Sequence, residues 1–197
     1  MRLFASLPLP REVIETIGIW RVEACTYLPA GDWRDLPSEN WHLTLAFYGD
    51  VGGGQADELA EKLEECVSGV SSLRLKLAGF GVFPKPSRAQ VFWIGVEDAN
   101  GGGLLASLAG CCRRAGFATV RKRGAKSEPF RGHVTLARQR GYPQPLAMDV
   151  LSHMPQVPAM AWQAEHLHLM RSMLHKDGAR YQVLEEFALG ESGPNGR

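Results

Sequence analysis

The chain has 197 residues, 45% of them hydrophobic and 22% charged, with a formal net charge of +1. That content is enough for one sizeable globular unit or two small lobes sharing a core, and it argues against disorder. The near-zero balance argues against a uniformly basic coat for nucleic acid; no basic-then-apolar leader opens the chain, and no apolar run approaches the roughly 20 residues of a membrane crossing.

Arg2–Leu7 reads as a short strand stopped by Pro8 and Pro10, after which Val13, Ile14, Ile17 and Trp20 recur at helical spacing from about Arg11. Residues 27–40, with Pro29, Gly31 and Pro37, read as loop. A strand then runs from Trp41 to about Tyr48. Behind Gly52–Gly54, Leu59, Leu63 and Val67 fall on one helical face. Residues 73–80 and 91–96 read as two strands around the turn-rich Pro84-Lys85-Pro86-Ser87, and a helix follows over about 104–115. A second strand of the Trp41 type starts at His133, a short helix reaches about His153, and 162–170 and 181–189 read as strands around the turn at 175–178. Residues 191–197 are expected to be a flexible tail, leaving 1–190 as one bilobal domain.

Two of these strands carry one pattern: His42-Leu43-Thr44-Leu45-Ala46-Phe47 and His133-Val134-Thr135-Leu136-Ala137-Arg138. With six histidines in the chain, two chance His-x-Thr hits have a probability on the order of one in a hundred from composition alone. Side chains alternate faces along a strand, so each His shares a face with its Thr while the aliphatics between turn to the core. A single strand His is usually structural, and Thr is favoured on strands by propensity alone; the repetition is what lifts these two pairs into candidates.

Histidine's unperturbed pKa of about 6.5 leaves both protonation states accessible near neutrality. Of two in one groove, the neutral one can take a proton from a nucleophile while the protonated one donates to a leaving oxygen, the division of labour that phosphoester cleavage asks for. Thr44 and Thr135 can each donate a hydroxyl proton to a non-bridging phosphate oxygen, so charge stabilisation needs no metal. Arg138 lies five residues past His133, on the opposite face of a regular strand, and enters the groove only through a bulge or at the strand's end.

These segments, together with RLFASLPLP, GVFPKP, PFRGHVTLAR and GARYQVLEEFAL, resemble the two-histidine phosphoesterase family in its RNA 2′,3′-cyclic phosphodiesterase branch, whose members are also called 2′-5′ RNA ligases. The resemblance spans nearly the whole chain. It implies an α+β fold of two pseudo-twofold lobes, with two antiparallel sheets facing a central groove and helices outside. By it His42 would be the proton donor and His133 the proton acceptor, with Thr44 and Thr135 on the phosphate and Phe47 and Arg138 on the substrate. The reaction implied opens a terminal 2′,3′-cyclic phosphate to a 2′-phosphate with water, using no cofactor and no metal. Expected partners are RNA ends, tRNA fragments among them, or nucleoside cyclic phosphates; the protein is expected to be a cytoplasmic monomer with no membrane contact. Two alternatives stand beside this: a 2′-5′ ligase in the same groove, and a nucleotide- or RNA-end-binding protein without turnover, against which two intact His-x-Thr pairs count. The residues themselves leave open which histidine is acid and which base. Two positions depart from the branch: Tyr48 replaces a small aliphatic, which is expected to alter stacking at the groove mouth, and Gly132 replaces a common Pro, which is expected to loosen the strand entry.

Other features carry blander readings. His166 and His168, beside Glu165, have the spacing of a zinc-ligand pair but no further ligand cluster nearby, and read as a partly exposed strand face. The cysteines Cys25, Cys66, Cys111 and Cys112 contain no CxxC pair, and Cys111-Cys112 are too close to bridge each other, so neither a disulfide framework nor a zinc site is expected and a reduced compartment fits. From Arg113 to Arg140 nine Lys and Arg face the single acid Glu128; this stretch, Arg121, Lys122, Arg123 and Lys126 included, reads as a solvated loop or as a phosphate-attracting wall. Gly52–Gly54 and Gly101–Gly103 lack a phosphate-loop pattern and read as helix lead-ins.

Overall fold

In the computed structural model, which describes residues 1–70, 73–120, 129–176 and 178–190, strand β1 (Arg2–Leu7) is buried from Leu3 onward. That run, apolar but for Ser6, suits a strand with neighbours on both edges, and β3 (Leu43–Asp50) and β8 (His166–His175) flank it. Helix α1 (Arg11–Ala24) follows Pro10, whose carbonyl accepts the first helical N–H groups from Val13 and Ile14. Its 3.6-residue period turns Val13, Ile17, Trp20 and Ala24 inward.

The remaining elements are β2 (Trp33–Asp35), α2 (Gly53–Val67), β4 (Leu73–Phe83), β5 (Val91–Asp98), α3 (Leu104–Val120), β6 (His133–Gln139), α4 (Met148–His153), β7 (Ala161–Ala164) and β9 (Gly178–Ala188). All the strand pairs are antiparallel, in the order β7-β4-β5-β6-β3-β1-β8-β9, with β2 added on β6. The motif strands β3 and β6 meet in the middle at a single register pair, Leu43 with Val134. The two expected sheets are therefore two halves of one curled antiparallel sheet, each half carrying its motif strand innermost. Trp20 of α1 packs on Phe80 and Phe92 of the β4–β5 half, with ring centroids 5.6 and 6.1 Å apart. Helices α2 and α3 lie together over the β3 half. Phe92 is fully buried under α1, and truncating it to Ala would cost about 3–5 kcal/mol.

The structure corrects four expectations. The loop expected over 27–40 contains β2, which pairs Trp33 with Gln139 and Asp35 with Ala137; three residues are too short for a periodic signal. The strand expected over 162–170 breaks at Glu165, so that β7 joins β4 at one end of the sheet while β8 joins β1 in the other half. Cys66 and Cys111 form a disulfide, with Cα atoms 5.7 Å apart, which staples α2 to α3; the two cysteines are far apart in sequence, and only the packing of the helices brings them together. That bond removes cysteine usage as an argument for a reduced compartment. Tyr48 is not at the groove mouth: it is 2% exposed, and its hydroxyl donates to the Cys112 carbonyl at 3.2 Å. A side chain on Gly116 of α3 would lie 2.4 Å from the Tyr48 ring, so that glycine makes the room the larger residue needs. The expected tail over 191–197 lies outside the described residues.

Candidate active site

The same irregularity occurs in both motif strands. Along β1 and β3, Ser6 pairs with Thr44 but Ala5 pairs with Ala46; along β5 and β6, Trp93 pairs with Thr135 but Phe92 pairs with Ala137. Leu45 and Leu136 are thus extra residues, a β-bulge at the same motif position in each strand, and β3 slips again at Tyr48. The side-chain alternation slips there, so Leu45 and Ala46, and likewise Leu136 and Ala137, are buried in succession. Past the slip, the fifth residue after each histidine returns to the groove side. Phe47, 66% exposed, and Arg138 accordingly line the same cavity as His42, Thr44, His133 and Thr135. All six candidate residues meet in this groove of about 680 Å³, and the bulge that Arg138 required is present.

Each imidazole is held through its Nδ1. His42 Nδ1 lies 2.8 Å from the carbonyl oxygen of Asn40, and His133 Nδ1 lies 2.7 Å from that of Arg131. A carbonyl oxygen only accepts, so Nδ1 carries the proton and Nε2 is left as the titrating atom in both rings. Burial pushes His42 down to about 4, against the opposing pull of the Asn40 carbonyl, and the charges of Arg138 and His133 depress it further. His133 is also lowered, again by burial first and then, against the Arg131 carbonyl, by Arg138 and Arg131. Both shifts favour the neutral ring.

Aromatic rings fix both histidines from outside the motifs. Phe4 stacks on His42 at 4.9 Å and Tyr181 of β9 meets it edge-on at 5.1 Å. On the other side Phe83 meets His133 edge-on at 4.8 Å, and Trp93 lies 6.2 Å away with the Arg131 guanidinium over its ring, 4.3 Å from the centroid. Tyr181, Phe83, Phe130, Arg113, Asn40 and Arg131 all line the groove. Arg113 and Arg131 belong to the basic stretch, but reading residue by residue did not single out Asn40, Phe83, Phe130 or Tyr181, because each comes from a segment with no repeated pattern; for the three aromatics the signal available was the FPKP, PFRG and GARY segments that carry the resemblance. Gly132 does not loosen the entry to β6. A Cβ there would lie 2.3 Å from the Val96 carbonyl oxygen and 3.1 Å from Leu105, so the glycine permits a close approach to β5, sealed by the Val96 N–H donating to the Gly132 carbonyl at 2.9 Å.

His166 and His168 both turn Nε2 toward the Glu186 carboxylate, at 3.7 and 2.8 Å, on the partly exposed surface of β8 and β9. Among the described residues no group of three or more His, Cys, Asp or Glu is placed to hold a metal ion, and no helix is long and apolar enough to cross a membrane. Of the basic stretch, Arg113, Arg131 and Arg138 line the groove; Arg121, Lys122, Arg123 and Lys126 lie outside the described residues.

Comparison with known proteins agrees with this architecture. The family model of LigT-like phosphoesterases matches residues 7–93 and 113–181. A Thermus thermophilus protein named RNA 2′,3′-cyclic phosphodiesterase is 34% identical over 98% of this chain and 93% of its own length. A Geobacillus stearothermophilus protein of the same name is 29% identical over 98% of this chain, which spans 59% of that longer relative. Among solved structures, one from Thermus thermophilus superposes with a TM-score of 0.75 at 29% identity, covering 96% of this chain and 98% of that one. Escherichia coli LigT without ligand superposes at 0.72 with 26% identity, over 96% and 98%. With its two His-x-Thr strands meeting in one groove and the family model matched along both halves, the chain belongs to the LigT-like phosphoesterase family, a family of enzymes within the two-histidine phosphoesterases.

Proposed function

We propose that the protein is an RNA 2′,3′-cyclic phosphodiesterase that works without a metal. The observation that carries this reading is the convergence of two imidazoles, each with Nδ1 tied to a carbonyl and Nε2 left to titrate, with two threonines and Arg138 in one groove. The names of the relatives point to the same substrate.

In the proposed reaction neutral His133 takes a proton from water through Nε2 as the water oxygen bonds to phosphorus. The bond from phosphorus to O3′ breaks and His42, protonated at Nε2, gives its proton to O3′. One water is consumed, leaving a 2′-phosphate and a free 3′-hydroxyl. The hydroxyls of Thr44 and Thr135 and the Arg138 guanidinium would bear the charge that develops on the non-bridging oxygens, each such donor contributing about 2.7–4 kcal/mol by analogy with oxyanion-hole donors. Phe47, at the mouth, would contact the nucleoside. His42 as the acid demands that the incoming phosphate anion raise its proton affinity, since burial and the neighbouring charges hold it near 4.

The test is product analysis on an RNA ending in a 2′,3′-cyclic phosphate, with excess chelator present. A 2′-phosphate end formed in chelator supports the reading. A 2′-5′ joined product would favour the ligase, an untouched end that still binds would favour the binding protein, and loss of turnover restored by a divalent ion would favour a metal-dependent mechanism.

A further inference from the structure

Asn40 lines the groove at the end of the 3-10 turn Ser38–Asn40 and is bonded in two directions. Its backbone carbonyl holds His42 Nδ1 at 2.8 Å, and its side-chain Nδ2 donates to the Ala179 carbonyl at 3.3 Å. Ala179 belongs to β9, the last strand in the sheet order, three strands along from β3. Two residues on, Tyr181 places its ring edge against both His42 and Phe4, at 5.1 and 5.3 Å. One residue therefore joins the catalytic ring, the turn that precedes it and the strand that walls it.

Resting on the reading of His42 as a catalytic residue, we propose that Asn40 is a positioning residue: its side-chain amide docks β9 so that the Asn40 carbonyl and the Tyr181 ring together hold His42 in the Nδ1–H tautomer. Without the amide this bond between the turn and β9 is lost. The carbonyl can then drift from Nδ1, and Tyr181 can leave the ring edge. Because a few tenths of an ångström decide whether a hydrogen bond is made, a loss here reaches the reacting nitrogen although the amide never touches substrate. The other half has a counterpart at the same offset: Arg131, two residues before His133, gives its carbonyl to that ring and lays its guanidinium on Trp93. Both histidines are thus oriented by a residue whose side chain is anchored on another strand.

The experiment compares wild type, Asn40→Leu, Asn40→Ala and Tyr181→Ala, and the double variant of Asn40→Leu with Tyr181→Ala. Turnover of a nucleoside 2′,3′-cyclic phosphate is followed against pH, and the ring-nitrogen shifts of His42 are read by NMR in ¹⁵N-histidine-labelled protein. Asn40→Leu keeps the size and removes the donor; Asn40→Ala serves where the leucine prevents folding. The expected result is a kcat lower by about tenfold, the order of effect expected when a small displacement misaligns a catalytic group. His42 should also sample both neutral tautomers, and the double variant should be no more than about twofold worse than the worse single variant, because the two act through one ring. A lower melting temperature with unchanged kcat, pH profile and His42 tautomer would overturn the proposal, as would losses that multiply. If wild type turns over no cyclic phosphate the functional reading fails, while the His42 tautomer still decides the role of Asn40.

Discussion

Phe47 and Arg138 occupy equivalent positions in the two halves of the sheet: each is five residues past its histidine, and each is turned into the groove by a bulge at the leucine of its own motif, Leu45 or Leu136. The site is thus symmetric in backbone and asymmetric in chemistry. One half offers an exposed ring and the other a cation, as suits a substrate with a nucleoside on one side of its phosphate.

The two residues should fail differently. Phe47→Ala should raise KM for a nucleoside 2′,3′-cyclic phosphate several-fold with kcat little changed, since a ring at the mouth binds ground and transition states alike. Arg138→Met should lower kcat by about a hundredfold, the size of one donor to developing charge. Steady-state kinetics on both variants separates the two, and a pure KM effect from Arg138→Met would remove it from the transition state.

Why the two His-x-Thr pairs were legible and Phe47 and Arg138 half-hidden is a matter of parity. His42, Thr44, His133 and Thr135 could be read because alternation over two residues is safe. Extending it to five failed unless a bulge intervened, and a bulge at Leu45 or Leu136 has no marker in residue type. The Cys66–Cys111 bond and the burial of Tyr48 were illegible for another reason: each depends on how α3 lies against its neighbours, with Gly116 making room for the Tyr48 ring. Long-range packing of this kind leaves no local pattern, whereas strands such as Arg2–Leu7 and helices with a clean apolar face were plain.

Replacing His42 or His133 with Ala should each cut turnover by at least about a hundredfold with the fold retained, each change removing one proton transfer. The double replacement should be little worse than either alone, because acid and base act as a unit. Turnover within a few-fold of wild type in either single variant would end the two-histidine mechanism.

The Cys66–Cys111 bond closes a loop 45 residues long, for which chain entropy suggests roughly 4 kcal/mol of stabilisation. Reduction, or Cys66→Ser, should therefore lower the melting temperature by many degrees. Mass spectrometry after alkylation should find Cys66 and Cys111 labelled only after reduction, while buried Cys112, its thiol pushed up to about 12, stays unlabelled until unfolding. Equal melting temperatures in oxidised and reduced protein would leave that bond without a stabilising role.

The pH dependence follows from the two lowered histidines. In kcat/KM, which reports the free enzyme, the base must be neutral, so activity falls as pH drops below its pKa; the acid must be protonated, so activity falls as pH rises above its pKa. Burial and Arg138 hold both groups below 6.5, His42 near 4. The expected profile is a bell with both limbs below 6.5, one of them near 4, and with only a small fraction of enzyme correctly protonated at neutrality. Arg138→Met should move both limbs to higher pH, since its charge opposes protonation of both rings. The same depression acts on stability. The unfolded chain takes up the His42 proton near 6.5 and the folded chain only near 4, so up to about 3 kcal/mol is present above pH 6.5 and is lost as pH falls through 4. Denaturant titrations from pH 7 to 4 should show a shallower decline in His42→Asn than in wild type. A kcat/KM profile with its upper limb above pH 7 in wild type, or one indifferent to Arg138→Met, would mean that these two histidines do not set it.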